Sequence, residues 1–504
     1  MSVILGVAGA TRNAALALCN EGRIVGVCER ERVTRTRRAA LRPGHLPTET
    51  LNALLQIGNC SRQDIGTFAV AESAIRLGES SVQYVDHHYA HAATAFYSSP
   101  YSSATIVVCD RRSLPELTVW AGDASGIQQL DFAWAGPAFA TVYSLAAEAL
   151  GFSRDGDEHR LEALARVGEH RCNPGVASIA HRENRLEVPE HFQASIEAIV
   201  GRNGSSVSDT VKASLAEQVQ RHVGDLLLQT VAAIQARFGG EHLCLAGGLF
   251  YNSYLTTLLA QSGLYAETFV PANPGNAGVA VGAALTIAAR EQSLARRETL
   301  SPFLGPEFTP QEIKATLDNC KLSYDYLRNG QLIDRTVTAL AKGQLVGWFQ
   351  GRMEWGTRAL GHRSILASPV APYVLENLNV FLKHREPHRT YSVAICQEDL
   401  PRFFKGPAKS EFMEYEFDVL DRELLRPLLP ANASRLRVQT VDESAGAFYQ
   451  LIRAFGDLTG VPMVVNTSFN GFNEPMVCNP RDAVRVFYGT GLDLAILDSL
   501  VLQK

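Results

Sequence analysis

Val3-Ile4-Leu5-Gly6-Val7-Ala8, Ala14-Ala15-Leu16-Ala17-Leu18-Cys19 and Arg23-Ile24-Val25-Gly26-Val27-Cys28 are the stretches that decide how this chain begins to fold. Each is short, apolar and bounded by turn residues, the pattern of a buried strand. Asn20-Glu21-Gly22 suits a tight turn between the second and third. Gly9-Ala10-Thr11-Arg12-Asn13 joins the first to the second. Gly9 there either lets the backbone approach a ligand or is an ordinary hairpin glycine, and one glycine does not decide between them.

A β-meander at the start of an α/β domain suggests an actin-like nucleotide fold, with its first turn facing phosphate. The charged run Glu29-Arg30-Glu31-Arg32-Val33-Thr34-Arg35-Thr36-Arg37-Arg38 follows. Most such runs are solvated, so a solvated loop is expected in preference to a set of phosphate-binding arginines.

Further along lies Val85-Asp86-His87-His88-Tyr89-Ala90-His91-Ala92-Ala93-Thr94-Ala95-Phe96. If it is helical, His87 and His91 share one face and can hold one metal ion. The same spacing also arises by chance, with the rings capping carbonyls. Thr105-Ile106-Val107-Val108-Cys109 reads as a buried strand ending at Asp110. A carboxylate there sits where α/β sheets place ligands, which tips the balance toward metal. Residues 206–238 carry apolar side chains at helical spacing and lead into a strand at 242–246. Gly247 and Gly248 then open Gly247-Gly248-Leu249-Phe250-Tyr251-Asn252, and paired glycines there suit a nucleotide or tight packing equally. Gly275-Asn276-Ala277-Gly278 has the same character.

At 504 residues the chain is too long for one ordinary core. Its polar, Pro-containing stretch at 290–310 places a boundary between domains at 1–300 and 301–504. A net charge of -5 argues against a generic nucleic-acid binder. The nine cysteines form no CxxC pair and read as reduced residues of a soluble cytoplasmic protein. No signal peptide or membrane span is expected.

In the second half a helix is expected near 311–317, with strands at 344–349 and 462–465. Arg352, Arg358 and Arg363, with Ser364, fall in 351–364, and Lys383, Arg385 and Arg389 in 383–389. Asn466, Ser468 and Asn470 follow the later strand. Arginine forks grip phosphate bidentately, so the recurrence of these groups among glycines favours a polyphosphate or acyl-phosphate site. Surface pairs of Arg352 with Glu354, or Arg385 with Glu386, are the bland alternative.

His87-His88-Tyr89-Ala90-His91-Ala92, Ala246-Gly247-Gly248-Leu249-Phe250-Tyr251-Asn252, residues 351–364, residues 383–389 and Asn466-Thr467-Ser468-Phe469-Asn470 occur in that order. With them, and with Thr490-Gly491-Leu492-Asp493 near the end, the chain resembles the ATP-dependent O-carbamoyltransferases of antibiotic and nodulation-factor biosynthesis along nearly its whole length. The resemblance implies an N-terminal actin-like domain similar to the tRNA threonylcarbamoyl-transfer proteins. It also implies a C-terminal α/β domain similar to the threonylcarbamoyl-adenylate synthases. The second domain would take carbamoyl phosphate and ATP to carbamoyl-adenylate. The first would pass the carbamoyl group to a hydroxyl of a small natural product, with a divalent metal, iron or magnesium, in place.

Carried over residue by residue, Arg358, Lys383, Arg385 and His91 are the catalytic candidates. Arg352, Arg363, Ser364, Arg389, Asn466, Ser468, Asn470, Gly247, Gly248 and Asn252 are the nucleotide-binding candidates. His87, His91, Asp110 and Asn276 are the metal ligands. The chain departs from the family pattern at Arg12-Asn13, Arg111, Asn276, Thr390 and His159-Arg160-Leu161-Glu162-Ala163-Leu164-Ala165. Those in the first half leave a second reading in play, in which that half is a binding scaffold. A third is transfer to a different nucleophile.

Overall fold

The computed structural model describes residues 3–504 apart from 43, 154–155, 171–174, 202–207, 292–293 and 295–297. The apolar opening forms strands β1 (Val3–Ala8), β2 (Ala15–Asn20) and β3 (Arg23–Glu29), paired as an antiparallel meander. Glu21 and Gly22 both take positive φ, as a two-residue hairpin turn that follows strand twist requires. β4 (Ile65–Val70) then lies parallel to β1, and β5 (Val82–Tyr84) parallel to β4. The sheet order is β3-β2-β1-β4-β5.

A second sheet repeats this plan. β6 (Ala104–Cys109), β7 (Leu117–Asp123) and β8 (Gly126–Gln129) form its meander. A small hairpin, β9 (Ala180–Arg182) with β10 (Arg185–Glu187), and a 30-residue helix, Asp209–Phe238, intervene. β11 (His242–Ala246) and β12 (Glu267–Phe269) then add in parallel, giving β12-β11-β6-β7-β8. Of the expected helical stretch, residues 206 and 207 lie outside the described residues.

Helices His87–Tyr97 and Val279–Glu291 pack together in the core these sheets share. Their contact faces are mostly alanine, so the backbones come close enough for Thr94 Oγ1 to donate to Gly278 O (2.9 Å). Two sheets of the same order around a helical core are the actin-like architecture.

The second half is one ten-stranded mixed sheet. Its strands are β13 (Asp325–Tyr326), β14 (Val346–Phe349), β15 (Arg363–Ala367), β16 (Ser392–Cys396) and β17 (Phe404–Lys405), with β18 (Glu416–Val419), β19 (Arg435–Val441), β20 (Met463–Ser468), β21 (Leu494–Leu497) and β22 (Leu500–Gln503). Their order is β13-β22-β21-β14-β15-β20-β16-β19-β18-β17. Helices Asn329–Ala341 and Ala447–Thr459 cover one face, and Pro310–Asn319 and Pro480–Gly489 the other. Among the described residues no helix is long and apolar enough to cross a membrane, and the described cysteines are free.

The halves are joined by polar contacts far apart in sequence. The segment at 301–307 is bonded on both sides: Val27 N donates to Leu304 O (2.9 Å) and Trp355 N to Pro302 O (2.8 Å). The run at 29–38 is no solvated loop. Arg32 is buried against Glu29 and donates to Gly356 O (2.7 Å), while Arg35 Nη2 donates to Pro475 O (2.6 Å). Arg32 and Arg35 are satisfied by the other half, and Arg30 and Arg38 by Ala40 O and Gly156 O of their own half, which composition does not reveal.

Candidate functional site

Asp86 caps the helix carrying the histidines, its Oδ1 accepting from Tyr89 N (2.8 Å). That sets His87 and His91 on the face toward the end of β6, where Asp110 follows directly. His87 Nε2 donates to Asp110 Oδ2 (2.9 Å), and His91 Nε2 lies 3.6 Å from the same oxygen. The two imidazoles meet edge-on with centroids 4.8 Å apart. All three ligand atoms lie within 4.8 Å of one another. Burial disfavours a charged His87, but its bond to Asp110 outweighs this and raises its pKa. His91 is more deeply buried, and burial lowers its pKa. Asp110 is also buried, yet the two imidazoles hold its carboxyl well below the usual range. Both nitrogens of the His91 ring lack a hydrogen bond of good geometry. Unsatisfied buried nitrogens facing an ionised carboxylate fit a metal ion.

The surrounding loops resolve several sequence-level alternatives. Gly9 N (2.7 Å) and Ala10 N (3.2 Å) both donate to Glu72 Oε1, so a carboxylate of the chain itself occupies the first turn's amides. Gly247 has φ +104°, and a Cβ there would lie 2.0 Å from Cys109 O, so tight packing requires it. Gly248 borders open space. Asn252 caps helix Ser253–Ala260, accepting from Tyr254 N (3.1 Å), and its amide donates to Gln220 Oε1 (3.1 Å). Both ends of its side chain are therefore engaged within the first half. Asn276 lies on the loop whose Pro274 carbonyl accepts from Gly247 N (2.7 Å) and faces His91. Arg12 feels the charges of Glu158 and Asp110, and Arg111 Nη2 lies 3.9 Å from Glu158 Oε1.

The second centre gathers at the ends of β20 and of a π-helical turn, Asn377–Leu382. There Lys383 N donates to Leu378 O (2.9 Å), five residues back. The buried Lys383 Nζ donates to Ser468 O (2.6 Å), Asn470 O (2.9 Å) and Asn470 Oδ1 (2.6 Å). All three acceptors are neutral. Burial, and then the neighbouring Arg385, push the ammonium pKa well down. Arg385 Nε donates to Asn379 Oδ1 (2.8 Å), with its guanidinium 4.3 Å from the Tyr391 ring centre. Burial, and then Arg385, bring Arg389 down to about 10. Arg358 Nη2 donates to Tyr251 O (2.9 Å) across the joint between the halves. Ser468 Oγ donates to Asn470 Oδ1 (2.8 Å), and Ser364 pairs with Ser468 across β15 and β20. Asn466 Nδ2 donates to Gln439 Oε1 (2.8 Å) and leaves Oδ1 buried without a partner.

Arg352 and Arg363 are each held at several main-chain carbonyls. Arg352 Nη2 donates to Val25 O and Leu304 O (2.8 Å each), tying the halves together. Arg363 donates to Gln350 O (2.6 Å) and Gly351 O (3.0 Å) and stacks 3.5 Å from the Phe349 ring centre. Main-chain carbonyls take up these two guanidiniums.

Sequence reasoning missed the residues that shape the loops. Glu354 Oε1 accepts from the amides of Leu360 (2.7 Å), His362 (3.1 Å) and Arg363 (3.1 Å), fixing the Arg358 loop. Asn379, fully buried, also donates to Pro387 O (3.1 Å) and Arg389 O (2.9 Å) and so folds 383–389. A lone amide inside Leu378-Asn379-Val380-Phe381-Leu382 was the available signal. Helix Glu158–Ala165 connects the two centres: Glu158 meets Arg111, Arg160 pairs with Glu386, and Arg166 bridges Glu162 and Glu416.

Comparison with known proteins matches residues 69–285 to the carbamoyltransferase N-terminus and residues 337–504 to the carbamoyltransferase C-terminus. The chain is 30% identical to nodulation protein NolNO of Sinorhizobium fredii over 475 residues, 90% of this chain and 67% of that one. It is 27% identical to the 3'-hydroxymethylcephem-O-carbamoyltransferase of Amycolatopsis lactamdurans over 441 residues, 80% of each chain. Among solved structures, HypF of T. kodakarensis aligns with a TM-score of 0.39 at 14% identity, over 59% of this chain and 49% of that one. With both of the family's parts present in order, the chain belongs to the carbamoyltransferase family and is an enzyme that transfers a carbamoyl group.

Proposed function

We propose that the chain is an ATP-dependent O-carbamoyltransferase divided near residue 300, with adenylate chemistry in the second half and transfer in the first. The observation that carries this reading is Lys383: a buried ammonium held by three neutral oxygens, with Arg385 next to it. Neutral acceptors orient the amine without an anion to stabilise its charge, so the centre is suited to a polyanion that would offset the burial disfavouring the ammonium. In the first step water hydrolyses carbamoyl phosphate to carbamate and phosphate, and a carbamate oxygen attacks the α-phosphorus of ATP. The bond to pyrophosphate breaks, leaving carbamoyl-adenylate. Lys383 and Arg358 hold the phosphate charge, and Ser468 and Asn470 fix the ammonium.

In the second step an acceptor hydroxyl oxygen bonds the carbamoyl carbon, AMP leaves with the bonding pair, and the hydroxyl proton is lost. His87, His91 and Asp110 would hold a divalent metal, and imidazole in the set favours iron over magnesium. Such an ion would polarise the carbamoyl carbonyl. The acceptor class is a small natural product carrying a free hydroxyl, and the described cysteines, free and mostly buried, support a cytoplasmic setting.

The test is mass spectrometry of products from ATP, carbamoyl phosphate and a pool of hydroxylated acceptors, with pyrophosphate followed in parallel. Release of pyrophosphate that does not depend on carbamoyl phosphate would sink the assignment of the second half. His91→Ala should keep pyrophosphate release and lose carbamoyl transfer. Full transfer by that variant would leave the first half as a scaffold.

A further inference from the structure

Arg358 is tied into a closed ring of hydrogen bonds that crosses between the halves. Its Nη2 donates to Tyr251 O (2.9 Å), and the Tyr251 hydroxyl donates to Asn273 Oδ1. Asn273 Nδ2 donates to Glu29 Oε1 (3.0 Å), and Arg32 Nε donates to Glu29 Oε2 (2.9 Å). Arg32 Nη2 then donates to Gly356 O (2.7 Å), two residues before Arg358, and the ring is closed. Glu29, Arg32 and Asn273 are buried, so a broken link leaves a polar group unpaired away from water.

The same tyrosine reaches the first centre. A Cβ on Gly275 would lie 2.6 Å from the Tyr251 ring, so the ring rests directly on the loop that carries Asn276. Pro274, in that loop, faces His91. Tyr251 thus anchors Arg358 through its carbonyl and the Asn276 loop through its ring and hydroxyl.

We infer that Tyr251, Asn273, Glu29 and Arg32 are positioning residues that lock the Arg358 loop and the Asn276 loop into one arrangement. The kinetic consequence rests on the proposed function: adenylate formed at one centre meets a first centre already set to receive it. When the lock loosens, water attacks the carbamoyl carbon instead, giving carbamate and AMP and wasting the pyrophosphate-forming step.

The test uses the full chain with Tyr251→Phe, which keeps the ring and removes one bond, and Glu29→Gln, which keeps the shape and removes the charge. In amide hydrogen exchange, peptides covering 271–278 and 354–361 should both exchange about tenfold faster, while those of β1 and β6 keep their protection. Opening of one loop alone, or of neither, overturns the inference. The ratio of pyrophosphate released to carbamoylated product should rise about twofold or more in both variants. Two rates that fall together at the wild-type ratio would mean a merely structural network. If wild-type protein releases no pyrophosphate from ATP and carbamoyl phosphate, the functional reading fails, and the exchange result still decides whether the loops are locked.

Discussion

The two centres handle charge in opposite ways. In the first, the chain supplies its own counter-ions: His87 to Asp110, Arg111 to Glu158, and the Glu72 carboxylate to the amides of Gly9 and Ala10. In the second, the hydrogen bonds of Lys383 and Arg358 go to carbonyl and amide oxygens that carry no net charge, while Glu474 and Glu162 act on them only through space. A field cancelled from within leaves little for a polyanion, whereas one held open by dipoles is available to it. Under the proposed function, the first centre would receive the carbamoyl group and the second the phosphates.

The hardest blow to this division falls at the contact between the halves. Arg166 is buried between Glu162 and Glu416, and replacing it with methionine leaves two carboxylates facing each other without the cation between them. Loss of one member of a buried ionic set costs about 3–5 kcal/mol. Arg166→Met should therefore lower the denaturant midpoint steeply, read by circular dichroism with both halves melting earlier.

Next in size, Lys383→Ala should slow carbamoyl-phosphate-dependent pyrophosphate release by about 10²–10³, the loss typical of one preorganised donor. Arg111→Ala, on the self-compensated side, should change that rate by less than about threefold. Equal losses in the two variants would erase the contrast. Asn276→Asp should strengthen metal binding in the first half by about 10–100-fold, because a charged oxygen joins the set. Titration calorimetry giving an unchanged affinity would show that Asn276 does not reach the ion.

The smallest effect concerns Glu414, at the joint, where its carbonyl accepts from Thr256 Oγ1 and its carboxylate from Phe412 N (2.7 Å). Burial raises its pKa to about 7. The folded state then keeps a proton that the unfolded chain releases near the ordinary glutamate range. Stability is thus lost as pH rises from that range to about 7, and stays lower above it. Partial solvent access limits the effect to on the order of 1 kcal/mol. Glu414→Gln should flatten that stretch of the pH–stability curve, and an unchanged slope in thermal melts would count against it.

The opening meander was legible because its apolar runs and turn residues are local. The duplicated sheet order was not: no tandem repeat marks it, and it exists only in pairings such as β6 with β11 across the long helical insertion. The charged run at 29–38 misled for the same reason, since Gly356 and Pro475 are invisible from a window around Arg32 and Arg35. Helical periodicity and a strand end brought His87, His91 and Asp110 into one group, as the structure does. Periodicity could not separate Lys383 from Arg363, because the two differ only in distant partners: Lys383 meets the Asn470 side-chain amide beside two carbonyls, and Arg363 lies over the Phe349 ring beside its carbonyls.

The wide turn before Lys383 makes chain length a guardian of the second centre. A π-turn holds one residue more than the α-turn it interrupts, and each residue carries the next about 100° round the axis. Val380 and Phe381 on its outer side are exposed, so their identity can drift with little consequence for Asn379 and Lys383 on the inner side. Deleting either would tighten the turn and swing the ammonium off Asn470 with every functional side chain still present. The segment works as a ruler, tolerant of spelling and intolerant of a missing letter.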